Sequence, residues 1–103
     1  MFAVIYKWKV KQGSEGKFQE AWEIRTREIA EQVGGLGSRL HMADDGTWIA
    51  YAQWPDRETW EAAGKASSPD SDAKRMVTES IESVETLFRL ELVKDLLVAE
   101  GDR

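Results

Sequence analysis

The 103-residue chain has no cysteine, a single histidine and only two prolines. The missing thiols exclude disulfides, a thiolate nucleophile and any cysteine-based metal site. One histidine, His41, cannot assemble a metal centre alone, so no metal is expected. Long apolar runs are absent too. MFAVIYKWKV is short and interrupted by lysine, which suits neither a signal segment nor a membrane span. No GxSxG or Ser-x-x-Lys accompanies the serines, and no GxGxxG loop cradles a phosphate, so hydrolase and nucleotide-enzyme readings drop out. Positive charge is scarce: 14 Lys and Arg stand against 19 Asp and Glu, a formal charge of −5. That balance argues against nucleic acid or an anionic membrane as partner. Together these absences predict one cytoplasmic domain over residues 1–103.

What is present centres on Leu36 to Pro55, LGSRLHMADDGTWIAYAQWP. Asp44-Asp45-Gly46 reads as a three-residue hairpin loop with Gly46 left-handed. Ala43 then faces Thr47, and paired residue numbers sum to 90. One face collects Leu36, Ser38, Leu40 and Met42 against Trp48, Ala50, Ala52 and Trp54. The other collects Gly37, Arg39 and His41 against Ile49, Tyr51 and Gln53. A slip of one residue would exchange the two sets.

Phe2 to Lys11 alternates at period two, with Phe2, Val4, Tyr6, Trp8 and Val10 on one face and Ala3, Ile5, Lys7, Lys9 and Lys11 on the other. Gln12-Gly13-Ser14 breaks this strand. A helix follows to about Gln32, with Phe18, Ala21, Trp22, Arg25, Ile29 and Val33 as its inward stripe and Gly34-Gly35 at its end. Asp56 caps a short helix running through Trp60 to about Lys65. KASSPDS is a loop, and Ser68-Pro69 suits a helix start. Ala73, Met76, Val77, Ile81 and Val84 mark another amphipathic helix. Glu85 to Val93 alternates as a last strand, Phe88, Leu90 and Leu92 opposed to Leu87, Arg89 and Glu91. The pattern is α+β, a ferredoxin-like β-α-β-β-α-β order with a split second helix. It predicts a four-stranded antiparallel sheet covered by helices on one face.

The uncovered face would hold Ala3, Ile5, Ile49, Tyr51, Leu87 and Val93 beside Arg39, His41 and Gln53. It is too apolar to stay wet, so a symmetric partner is expected there, making a homodimer through the sheet face. The covered face carries Tyr6, Trp8, Trp22, Trp48, Trp54 and Trp60. Each ring alone reads as core. Five tryptophans exceed what so small a core needs, and Ala50 and Ala52 leave space over the strand. A flat aromatic ligand between sheet and helices follows as a hypothesis.

The hairpin ending in YAQWP, with a second tryptophan at Trp60, resembles the antibiotic biosynthesis monooxygenase (ABM) domain family, over about the whole chain. The resemblance implies a ferredoxin-like fold that pairs as a dimeric α+β barrel. It does not extend to the haem-degrading branch, which uses an asparagine on the first strand and a histidine on the later helix. Tyr6 stands at that strand position, and Ala73 to Val84 holds no histidine. The other branch comprises the quinone-forming monooxygenases, which oxidise phenolic substrates with dioxygen and no cofactor. Its pocket tryptophan matches Trp54. Its asparagine falls on Ala50, its tyrosine on Trp60, and its arginine near Lys74-Arg75, where Arg75 supplies the charge. The expectation is a cofactor-independent monooxygenase for a small phenolic or quinol-type aromatic, with Trp54, Trp60, Tyr6 and Arg75 as catalytic groups. Trp8, Trp22, Trp48 and Ala50 would bind the substrate. The alternative is a non-catalytic dimeric binding protein for an aromatic metabolite.

Overall fold

A computed structural model describes residues 1–65 and 71–99; the Ser68-Pro69 helix start lies outside them. The described chain runs β1 (Phe2–Val10), α1 (Glu15–Val33), β2 (Ser38–Met42), β3 (Trp48–Trp54), α2 (Arg57–Lys65), α3 (Asp72–Ser80) and β4 (Ile81–Glu91). The four strands form one antiparallel sheet in the order β2-β3-β1-β4. The two central strands are β3 and β1, both mostly apolar in sequence.

Hairpin chemistry sets the β2–β3 register. Gly46 takes φ +86°, where a side chain would strain the backbone. Asp45 Oδ1 accepts from the Thr47 amide at 3.0 Å and from its hydroxyl at 2.6 Å. Met42 consequently faces Trp48, Leu40 faces Ala50 and Ser38 faces Ala52, the pairing expected from the sequence. Across β3, the strand β1 places Tyr6 opposite Ala50 and Phe2 opposite Trp54.

α1 and α3 cover one face of the sheet. Phe18 and Ala21 of α1 are fully buried. The Phe18 ring lies 5.6 Å from both Trp8 and Trp48, so Phe18→Ala would cost about 3–5 kcal/mol. A second cluster joins Phe2, Val4 and Trp54 with Trp60 and Ala63 of α2. Asp56 Oδ1 caps α2 by accepting from the Thr59 amide and hydroxyl, both at 2.7 Å.

Two expectations need correction, both in β4. The last helix stops at Ser80 rather than continuing through Val84. Ser80 is buried and its hydroxyl donates to the Met76 carbonyl at 2.6 Å, competing with continued helix. Ile81 is already extended (φ −115°, ψ 150°) and pairs with Val10. The i, i+4 spacing of Val77 and Ile81 fits a helix, but strand pairing with β1 decides. The strand faces are also exchanged. A register shift between Ile5 and Tyr6 inserts Leu87 as an extra residue, so Phe88 faces Ile5 and Leu90 faces Ala3. The open face thus gains Phe88 and Leu90, not Leu87. Leu92, just past the strand, donates its amide to the Met1 carbonyl at 3.1 Å, and Val93 is highly exposed. Thr86 and Arg89 turn towards the helices opposite Tyr6 and Val4.

Candidate active site

Between the sheet and α1/α3 lies a cavity of about 220 Å³. Its floor is Ala50 and Ala52 of β3, where small side chains leave open the volume that larger residues would fill. Trp22 and Ile29 of α1 form one wall; Tyr6 and Trp8 of β1, Val84 of β4 and Val77 of α3 form the others. Trp54 closes the end of β3. Gly35 makes room for it: a Cβ there would lie 3.0 Å from Ile29 Cγ2 and 3.6 Å from the Trp54 ring. The helix-ending glycine is therefore also a cavity residue.

The polar side chains lining the cavity are Tyr6, Arg25, Thr26, Ser38 and Gln53 beside the tryptophan indoles. Trp54 Nε1–H is buried with no hydrogen-bond acceptor among the described residues, a state that costs about 1–3 kcal/mol for a neutral donor. Trp60 Nε1–H donates to Tyr6 Oη at 2.8 Å. Burial pushes the Tyr6 hydroxyl above its ordinary pKa, partly opposed by that hydrogen bond and by the Arg89 charge. Tyr6 is therefore a neutral phenol at physiological pH, able to donate a proton in a hydrogen bond but not to take one from a substrate. Arg25 lines the cavity from α1 and stands 3.5 Å from Glu28.

The structure gathers Tyr6, Trp8, Trp22, Ala50 and Trp54 around one space. It places three other candidates elsewhere. Trp48 packs on Phe18 in the core. Trp60 stands behind Tyr6, 5.7 Å from the Phe2 ring and under the Arg89 guanidinium, lining a separate depression with Thr86 and Lys65. Arg75 is exposed on α3 and paired with Asp72. His41 is exposed on β2, paired with Ile49 on the uncovered face. The periodicity reading named Arg25, Ile29 and Val77 without giving them a role in the site. A charged residue within the apolar stripe of α1 was the signal for Arg25.

The hairpin, the split second helix and a ring-lined cavity over two alanines define an ABM-type domain. The chain belongs to the antibiotic biosynthesis monooxygenase family, whose sequence profile matches residues 1–68. Solved structures agree in fold. SnoaB, a cofactor-independent oxygenase from Streptomyces nogalater, superposes with a TM-score of 0.73 at 15% identity, over 92% of this chain and 95% of that one. Rv0793 from Mycobacterium tuberculosis gives 0.69 at 14% identity, over 93% of this chain and 98% of that one. No curated protein sequence matches the chain. Among the described residues no helix is long and apolar enough to cross a membrane.

Proposed function

We propose that the protein is a cofactor-independent monooxygenase for a small phenolic or quinol-type aromatic, bound between the sheet and α1/α3. The observation that carries this reading is the cavity itself: mostly apolar, walled by rings, and lined by an indole donor that has no acceptor among the described residues. An apolar cavity of roughly 150 Å³ holds a benzene, so about 220 Å³ suits one or two fused rings. A substrate oxygen would satisfy Trp54 Nε1–H, and Tyr6 would donate to the same or a neighbouring oxygen. Donors fixed in a water-poor site stabilise a phenolate. The ionised ring can then pass an electron directly to dioxygen. Recombination of the radical pair forms a carbon–oxygen bond, and loss of water turns a ring CH₂ into C=O. One oxygen atom enters the product and the other leaves as water.

The functional unit in this proposal is a homodimer closed through the uncovered sheet face. Phe88 (59% exposed) and Leu90 (41% exposed) stand beside Ile5 and Ala3 on that face. Apolar surface of this kind favours a partner. The competing reading, a dimeric binding protein that does not turn its ligand over, draws on the floor. Ala50 and Ala52 offer a substrate oxygen no polar side chain. Oxygen uptake with quinols and anthrone-type phenols separates the two. Uptake that tracks enzyme concentration supports the oxygenase, whereas saturable quenching of tryptophan fluorescence without uptake supports the binder.

A further inference from the structure

The uncovered face of the sheet carries a second recess at its β2 edge, of about 280 Å³, between Leu36, Arg39, Tyr51 and Gln53. It differs in kind from the ring-lined cavity on the other face, because its side chains are mostly polar. Arg39 and Tyr51 stand opposite each other in the β2–β3 ladder. Tyr51 and Gln53 are half-buried, and Arg39 is exposed at the rim. The Arg39 guanidinium makes no hydrogen bond or ion pair among the described residues. Gln53 Nε2 donates to Tyr51 Oη at 3.4 Å, which leaves the tyrosine O–H for another acceptor. No Asp or Glu lines the recess among the described residues. A guanidinium fork, a phenol and an amide with no acid beside them form a donor set suited to a carboxylate.

The recess and the cavity meet at the edge of the sheet. Gly37, Ser38 and Gln53 line both. The Gln53 amide donates to the Gly37 carbonyl at 2.9 Å, so the rim is ladder backbone. Gly37 has φ +100°, a conformation that favours glycine, and a Cβ built on it would meet no atom within 4 Å. The rim therefore has open space where another residue would set a side chain. Beside it, the Ser38 hydroxyl is turned aside to the Tyr51 carbonyl at 2.9 Å.

We infer that the ligand is a ring compound with a flexible anionic arm. The ring fills the cavity, the arm crosses the sheet edge at Gly37, and Arg39 with Tyr51 holds a terminal carboxylate. The inference rests on the ring-binding half of the proposed function. It adds a subsite outside the cavity that needs no turnover. The subsite lies on β2 and β3, with β1 between it and Phe88 and Leu90 of β4, so the arm and a partner copy on that apolar end use different strands.

The test is calorimetric titration of the whole protein with naphthyloxyalkanoic acids of increasing arm length, each beside its own primary amide. A sheet layer occupies roughly 10 Å, the face-to-face spacing of packed sheets, so only an arm of about that length reaches Arg39. Naphthyloxyacetate and its amide should bind equally. With an eight-carbon arm, the acid should bind about tenfold more tightly than the amide at low salt, and added salt should narrow the ratio. Arg39→Gln should bring the ratio to within about twofold, and Tyr51→Phe should lower it about threefold. Neither residue lines the cavity, so both variants should bind plain naphthol as the wild type does. Equal binding of acid and amide at every length overturns the inference. So does a preference already full at the shortest arm, or one that survives both substitutions. Oxygen uptake without an arm preference leaves the monooxygenase reading and removes this one, and an arm preference without uptake does the reverse. Failure of naphthol itself to bind strikes the cavity reading and this inference with it.

Discussion

Trp60 Nε1 donates to Tyr6 Oη at 2.8 Å, tying α2 to the central strand just behind the cavity. The indole is held by its own contacts, with Phe2 at 5.7 Å and the Arg89 guanidinium at 5.4 Å over its ring. Trp60 thus acts on the cavity through Tyr6 rather than by forming its wall. The bond fixes the phenol and uses one of its lone pairs, leaving the hydroxyl proton for another acceptor.

This arrangement predicts the alkaline behaviour of the protein. In a Tyr51→Phe background, tyrosinate absorbance should show Tyr6 ionising above the ordinary value of about 10, because burial outweighs its two stabilising partners. Trp60→Phe removes one of those partners and should push the titration higher still. The sign for stability follows. The unfolded chain loses its tyrosine proton first, so the contribution is complete below pH ~10 and is lost as pH rises through the folded pKa. A Tyr6 that ionises at or below the free value would contradict this.

Trp54→Phe separates the cavity's chemistry from its packing. The change keeps a ring but deletes the buried Nε1–H that has no acceptor among the described residues. Loss of ring volume destabilises and loss of the unsatisfied donor relieves, so unfolding free energy should move by less than about 1 kcal/mol. Affinity for a naphthol should nevertheless weaken about tenfold, since one hydrogen bond to its oxygen disappears. Unchanged affinity measured by fluorescence titration would place the ligand oxygen away from Trp54.

Much of this was legible from local chemistry. The Asp-Asp-Gly loop set the β2–β3 register, and period two in β1 assigned Phe2, Val4 and Trp8 to the covered side. β4 was less legible because a bulge carries no composition signal of its own. One extra residue at Leu87 exchanges every side chain beyond it, moving Phe88 to the open face. The cavity was legible from Ala50 and Ala52 lying among tryptophans. Which tryptophans surround it was not, because Trp48, Trp54 and Trp60 share an inward face and only three-dimensional packing separates them. Arg25 was visible as an anomaly in the α1 stripe, but its pairing with Glu28, which Ser71 also bonds from a distant helix start, is a matter of tertiary packing.

The α2 cap should be an acid-sensitive element. Asp56 accepts the Thr59 amide and hydroxyl hydrogen bonds, which hold its carboxyl below the ordinary carboxylate range. Its contribution is present above the unfolded carboxylate value and is lost as pH falls through the depressed folded one. Asp56→Ala should lower the melting temperature by a few degrees at neutral pH. The difference between variant and parent should close in strong acid. Because α2 carries Trp60, the variant's tryptophan emission should shift as well. A melting-temperature gap that persists at low pH would show that the cap is not the cause.

Sedimentation equilibrium at micromolar concentration should report twice the chain mass. Phe88→Lys is the discriminating variant, since Phe88 is 59% exposed in the isolated protomer and its replacement leaves the core intact. In a dimer closed through this face the new ammonium is buried unpaired, which costs several kcal/mol, and the protein should sediment as a folded monomer. Ile49→Lys, on the same face, should act in the same direction. A wild-type monomer, or a dimer indifferent to both changes, would rule out association through the sheet.

Ala50→Asn tests catalysis against binding. Ala50 is 1% exposed at the cavity floor, between Tyr6 on β1 and Leu40 on β2. An asparagine there leaves its amide short of partners in the empty cavity, so the ligand-free variant should be destabilised by about 1–3 kcal/mol. A phenolic ligand that bonds the amide should recover that loss, producing a larger ligand-induced rise in melting temperature than in the parent. The kinetic outcome divides the two readings. In an oxygenase the added amide holds the substrate oxygen beside Trp54, and oxygen uptake should be preserved or raised. In a binding protein the affinity changes while uptake stays at the buffer rate for parent and variant alike. An uptake rate abolished by Ala50→Asn, with ligand still bound, would mean that the amide displaces the ring from its reactive position and that the floor must remain apolar for turnover.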